Sequence, residues 1–237
     1  TDLSMTTNGS RLTKFAKPMF AAGLKRLNIS LDTLNPTLFT QLTRNGKLDR
    51  VIDGIDAAIA AGFERIKINA VILKQQNDNE VIDLVDFCRG RNLDIAFIEE
   101  MPLGEMDERK RARHCSSDEV KAIINSHYPL QLSNKRTGGP ARYYTMADSP
   151  IHIGFISPHS HNFCHECNRV RVTVEGQLLL CLGNEHAVDL KSIVREFPAD
   201  IERLKVAILA GINLKPKQHD FGNNQVQILR FMNATGG

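Results

Sequence analysis

No apolar stretch in this chain approaches the roughly 18 residues that cross a bilayer, so the sequence offers no candidate membrane span. The opening TDLSMTTNGSRL lacks the basic start and apolar run of a secretory leader. It begins on Thr1 rather than Met and reaches TTNG with no helix or strand leading in, as a fragment or a processed chain would. Neither sign of charge dominates. Thirty Lys and Arg face 27 Asp and Glu, and a net charge of +3 is too weak to imply a nucleic-acid partner. Small anionic ligands stay open wherever the basic residues converge. Cysteine is scarce and odd in number, five in all, which argues against a secreted disulfide framework and fits metal binding in a reducing compartment. The cytoplasm is therefore the expected location. What is present is the balance of a soluble globular protein, 42% hydrophobic and 24% charged over 237 residues, enough for one large or two small domains.

The first hundred residues alternate helix and strand. LTKFAKPMFAAG places Leu12, Phe15, Ala16, Met19 and Phe20 on one helical face, with Gly23 as its stop. LKRLNISLD reads as a short buried strand, and Asn35-Pro36 as a helix start. Leu48, Val51, Ile52, Ile55, Ala58 and Ile59 recur at helical spacing before Gly62. FERIKINAVIL is a strand, Asn79 to Arg91 a helix with Val81, Leu84, Val85 and Cys88 inward, and LDIAFIEEMP a strand. Parallel βα units of this kind close into a barrel or lie in an open sheet, and active residues gather at the carboxyl ends of the strands. Those ends carry Thr6-Thr7-Asn8-Gly9, Ser30 and Asp32, Asn69, then Glu99, Glu100 and Met101. Each alone is ordinary turn chemistry; four polar ends together point to a site.

Residues 104–113 read as a polar, mobile connection, and Ser117 as the cap of a helix over DEVKAIINSHY. RTGGPARYYTMA, PIHIGFISP and VRVTVEGQLLLCL are β-type runs, with Glu175-Gly176 as a hairpin turn. AVDLKSIVREF and ADIERLKVAILAGI read as helical, and residues 215–237 as a frayed polar tail ending in Gly236-Gly237. A soft boundary near residue 105 divides βα units in 1–104 from a cysteine-bearing region in 105–237.

Cys164 and Cys167, two residues apart, can grip one metal centre from a tight turn, and Cys181 would return to it on the hairpin. Three protein thiolates rather than four leave room for an open position that binds a substrate. Structural zinc, completed by one of His159, His161, His165 or His186, and an iron–sulfur cluster both satisfy the spacing, and spacing alone favours zinc. Buried cysteines without metal are the plainer alternative. If VRVTV is a strand, Arg169 and Arg171 share one face beside that centre, and paired guanidinium groups suit phosphate oxygens. A solvated strand face is the competing reading.

FCHECNRVRVTVEGQLLLCL, preceded by GPARYY and IGFISPHS, resembles the C-terminal cluster region of the GTP 3′,8-cyclases, radical S-adenosylmethionine enzymes that open molybdenum cofactor biosynthesis. TTNG, NISLD, IKINAVI and FIEEMP resemble that family's successive barrel strands, and the likeness runs through essentially the whole chain in order. The resemblance implies an α/β fold: a partial (β/α)6 TIM-like barrel followed by an α+β C-terminal region carrying an iron–sulfur cluster. It implies that Cys164, Cys167 and Cys181 hold three irons of a [4Fe–4S] cluster whose fourth iron meets the guanine of GTP, which reverses the preference for zinc. Arg169, Val170 and Arg171 match the family's GTP-binding segment, and Thr6 and Lys67 match further GTP contacts. Ser30 and Met101 match S-adenosylmethionine contacts, with Asn8 as an additional candidate.

The family's CxxxCxxC, which binds the cluster that cleaves S-adenosylmethionine, does not occur in these residues. Neither Cys88 nor Cys115 has partners at that spacing, and Cys88 reads as a packed core thiol. A second [4Fe–4S] cluster is therefore expected only in an N-terminal portion outside this sequence, and these residues alone are expected not to make the radical. In the complete enzyme the resemblance implies removal of the 3′ hydrogen of GTP by a 5′-deoxyadenosyl radical, then attack of the ribose radical on C8. Cyclic pyranopterin monophosphate synthase would follow as the downstream enzyme, and a homodimer is left open. The alternatives are another radical S-adenosylmethionine enzyme with an auxiliary cluster, or a zinc-stabilised, non-catalytic binding module.

Overall fold

The computed structural model describes residues 3–101, 112–161 and 163–217. Two compact units form, residues 1–100 with 112–161, and residues 101–111 with 162–237. Most of the expected connection at 104–113 and of the tail at 215–237 lies outside the described residues.

In the first unit, β1 (Ser4–Thr7), β2 (Arg26–Ser30), β3 (Arg65–Val71), β4 (Asp94–Ile98), β5 (Leu130–Leu132), β6 (Arg142–Met146) and β7 (Ser149–Ile156) make one sheet, ordered β1-β2-β3-β4-β7-β6-β5. β1 to β4 and β7 pair in parallel, and β5 and β6 extend the edge antiparallel. The crossovers carry α1 (Leu12–Ala21), α2 (Pro36–Thr43), α3 (Leu48–Ala61) and α4 (Val81–Arg91), and α5 (Ser117–His127) follows β4. This is a partial TIM-like barrel. Its core takes every second strand residue, Leu27 and Ile29, Ile66, Ile68 and Ala70, together with the helix faces Leu12/Ala16, Val51/Ile55/Ala58 and Leu84/Val85/Cys88. Ile59, read as part of the α3 stripe, lies off that face and is exposed.

The helix signals hold with small shifts. Asn35 caps α2, its side-chain oxygen accepting from Thr37 N at 2.9 Å and Leu38 N at 3.1 Å, with Pro36 in the first turn. Gly62 ends α3 at a φ of 87°, in the left-handed region. Ser116, not Ser117, caps α5. It forms a reciprocal capping box with Glu119, which frees the Ser117 amide to donate to Glu99 at 2.8 Å.

In the second unit a turn at Cys164–Glu166 precedes β8 (Arg171–Val172), β9 (Gln177–Leu179) and β10 (Ala187–Asp189), an antiparallel ribbon ordered β10-β9-β8. α6 (Leu190–Glu196) and α7 (Ile201–Asn213) follow. AVD, expected in a helix, is β10 instead. Asp189 then caps α6 by accepting from Ser192 N at 3.0 Å, so the helix starts at Leu190, three residues later than expected. Leu178, Leu180 and Leu190 form a small core, packed by Val188, Leu204, Ala207 and Ile208. No helix among the described residues is long and apolar enough to cross a membrane.

One close approach seats α3 against the turn after β1. A Cβ on Gly54, midway along α3, would collide with the Gly9 carbonyl oxygen of the TTNG turn. Gly54→Ala therefore opposes helix propensity, which favours alanine by about 1 kcal/mol. We expect a net loss of about 1–3 kcal/mol in urea unfolding; a neutral or stabilised variant would show that the turn yields freely.

Candidate functional site

The inner face of the parallel sheet is polar in successive layers. The register aligns Thr6 with Asn28, Asn28 with Lys67 and Lys67 with Asp94. Two residues further along the strands, Ser30 aligns with Asn69 and Asn69 with Ala96. Successive side chains on one face of a strand stand about 6.6 Å apart, so the layers are close neighbours. The expected GTP contacts Thr6 and Lys67 share the lower layer, while the S-adenosylmethionine candidate Ser30 lies in the upper one. Asn69 presents a buried side-chain oxygen there with no hydrogen-bond partner. Asn8 sits in the turn after β1, where its side-chain oxygen accepts from Ser10 N and Ser10 Oγ. Met101 lies three residues past the end of β4.

Below the Lys67 layer, at the amino ends of the strands, is a cavity of about 460 Å³. Among the described residues, Arg26, Arg65, Lys67, Lys135 and the carboxylate of Asp94 line it, with the Thr137-Gly138-Gly139 turn on its wall. Asp94 is already engaged: Oδ2 takes Lys135 Nζ at 2.6 Å and Oδ1 takes His152 N at 2.8 Å. Burial holds the Lys67 ammonium below the ordinary lysine range; Asp94 opposes this, and Arg26 and Lys135 add to it. Arg26, Arg65, Asp94 and Lys135 were not singled out from sequence. For Arg26 and Arg65 the signal was there, as polar residues at every second position of RLNIS and RIKINAV. Parallel strands covered on both faces by helices read as near-continuous apolar runs, so that alternation marks an interior meant for a polar guest.

Several polar strand ends prove to be structural. Asp32 accepts from Val71 N at 2.8 Å, and burial raises its pKa. Buried Glu99 accepts from the amides of Ser117, His159 and Ser160 and from Ser160 Oγ. Burial works against that carboxylate, but these donors hold it below the usual range. Glu100 pairs with Arg113. Cys88 is fully buried in the core, and burial pushes its thiol up; Cys115 is pushed up to about 11 for the same reason.

In the second unit, burial alternates from Cys167 to Val174. Cys167, Arg169, Arg171 and Thr173 turn inward, and Val170, Val172 and Val174 outward. Arg169 and Arg171 thus share a face, as the spacing predicts, while Val170 can offer a ligand there only its backbone. Burial lowers the Arg171 pKa, as does the nearby Arg169 charge, and the thiolates of Cys167 and Cys181 counter this. Burial raises the Cys167 thiol, yet the Arg169 amide hydrogen bond and the charges of Arg169 and Lys215 bring the net shift down. Burial raises Cys181, with Cys164 and Cys167 adding repulsion. None of the three thiols is in a disulfide. Among the described residues no three His, Cys, Asp or Glu side chains converge tightly enough for a single ion. Of the histidines weighed as a fourth zinc ligand, His161 pairs with Asp118 at 3.0 Å and His165 with Glu166 at 3.6 Å.

Residues 1–88 match the Radical SAM superfamily, and residues 93–221 match Molybdenum Cofactor Synthesis C. The chain is 58% identical to a GTP 3′,8-cyclase of Pseudomonas putida and 55% identical to one of Marinobacter nauticus. Each match covers all of this chain and 72% of the relative. The chain belongs to the GTP 3′,8-cyclase family. A crystal structure of Streptococcus suis SuiB matches the fold with a TM-score of 0.54 at 17% identity, over 87% of this chain and 48% of that one. Radical S-adenosylmethionine chemistry and molybdenum cofactor biosynthesis are thus the setting of this chain.

Lys67 offers a test of whether its burial serves binding rather than folding. Its folded form gives up the proton at lower pH than the unfolded chain does, so stability rises as pH climbs from the depressed value towards the ordinary lysine range. Lys67→Met should stabilise the chain at neutral pH by about 0.5–2 kcal/mol and remove that rise. Urea unfolding at two pH values reads both; a destabilised variant would mean that the ammonium is a structural tie.

Proposed function

We infer that this chain carries the GTP-binding and cluster-binding parts of a GTP 3′,8-cyclase, and that Cys164, Cys167 and Cys181 hold a [4Fe–4S] cluster open at one iron. The observation that carries this is the inward row Cys167, Arg169, Arg171, which runs into β8, with Cys181 two residues beyond its partner strand β9. The donor set suits the cluster better than zinc. Each thiolate of a cube binds its own iron, so its ligands stand further apart than those around a single ion. The second unit's described core is also small, and a metal centre adds to the stability of such a unit.

In this proposal Lys67, Arg169 and Arg171 hold GTP through its anionic oxygens, Thr6 through its hydroxyl and Val170 through its backbone. The basic cavity below Lys67 supports a polyphosphate end, because among the described residues Arg65, Lys67 and Lys135 line it beside Asp94, whose carboxylate is already engaged. Ser30, Asn8 and Met101 are assigned to S-adenosylmethionine. Cluster and S-adenosylmethionine, when bound, supply the one-electron chemistry. The work of the chain is to hold the ribose close to the reacting carbon and to keep water away. The division near residue 105 stays part of the proposal as a division of labour, although 112–161 packs with 1–100. A homodimer, a cytoplasmic location, and cyclic pyranopterin monophosphate synthase as the enzyme that rearranges the product belong to the same proposal.

Binding and cluster content are read directly, so the tests do not depend on turnover. Arg171→Ala should weaken GTP binding about tenfold or more while iron content stays unchanged; wild-type affinity with a filled cluster would remove Arg171 from the site. Cys181→Ser should lose most of the iron and sulfide in anaerobically reconstituted protein, and normal stoichiometry rejects the ligand assignment. Zinc without iron in the wild type would favour the structural module instead.

A further inference from the structure

Lys215 follows α7 and lies far in sequence from the cysteines, yet it joins the two segments that carry them. Its Nζ donates to the Arg169 carbonyl at 2.9 Å and to the Leu180 carbonyl at 2.6 Å. Arg169 lies two residues after Cys167, and Leu180 immediately precedes Cys181. The ribbon explains why a link is needed there. β8 and β9 pair at Val172–Leu178 and Arg171–Leu179 and then part. Continuing that register would set Arg169 opposite Cys181. The strands separate just where the cysteines must open around a centre wider than a ladder rung. The ammonium grips both segments at the point of separation.

The placement of Lys215 is built in. A Cβ on Gly211 would lie 2.8 Å from Val188 Cγ2, so the end of α7 approaches β10 closely. Leu204, Ala207 and Ile208 pack that helix on Leu178 and Leu180. The Lys215 amide donates to the Ile212 carbonyl at 3.0 Å, which keeps the chain turning back over the ribbon. The positive charge also lies close enough to act on both Cys167 and Cys181.

We propose that Lys215 is a positioning residue for the cysteine centre: one ammonium fixes the spread of the two cysteine-bearing segments and offsets the negative charge that a thiolate-bound cluster gathers there. This rests on the cluster reading above. Outer partners of metal ligands that orient them and neutralise their charge commonly change metal retention by about 10–100-fold when removed.

The test uses the full chain, reconstituted anaerobically with ferrous iron and sulfide, and measures iron release to a chelator alongside circular dichroism. Lys215→Met should keep the wild-type spectrum and release iron about tenfold faster or more. Lys215→Arg, which keeps charge and donors, should recover most of the difference, which a requirement for apolar packing alone would not produce. Release from Lys215→Met at the wild-type rate overturns the proposal. If Lys215→Met does not fold, Lys215→Gln decides by the same rates. A wild-type chain that takes up neither iron nor sulfide overturns the cluster reading and this role with it. A filled wild type with indifferent Lys215 variants overturns the role alone.

Discussion

Parallel pairing in register governs where the chemistry of this protein stands. Because Thr6, Asn28, Lys67 and Asp94 are aligned residue for residue, their side chains occupy one layer, and Ser30 and Asn69 occupy the next. A slip of one residue in any strand would send these groups outward and bring Ile29 or Ile68 into the interior. The apolar core on the other face prevents that slip, since Leu27, Ile29, Ile66 and Ile68 are all buried there. Packing on one side of the sheet thus fixes the polar pattern on the other.

That arrangement keeps cations where water is scarce. Lys67 and Arg171 are both pushed towards neutrality by burial, and both have another cation nearby. Holding like charges together is unfavourable in the empty protein and becomes favourable when an anion enters. The interaction is stronger than on an open surface, because the surroundings screen it less. Asp94 moderates the strain on the barrel side by engaging Lys135. On the ribbon side the thiolates of Cys167 and Cys181 do the same for Arg171.

The two units differ in how they are held. The first has an extensive core threaded by strands and helices. The second depends among its described residues on a small cluster of buried leucines, a short antiparallel ribbon and the grip of Lys215 on two carbonyls. A unit so lightly built would gain from the metal centre proposed for it, which would tie its segments together as a core otherwise does.

The sequence by itself determined the alternation of strand and helix, the caps at Asn35 and Gly62, the family, and the single face shared by Arg169 and Arg171. These follow from local periodicity and turn chemistry, which act over a few residues. It misplaced the start of α6, because Ala187–Asp189 has helical spacing but finds a strand partner in β9. The meeting of Arg26 and Arg65 with Lys135, the structural use of Glu99, and the reach of Lys215 to Arg169 and Leu180 were decided only by tertiary structure. Each joins groups tens of residues apart. Which distant polar groups meet depends on sheet register and helix docking, and no local pattern in the chain encodes that distance.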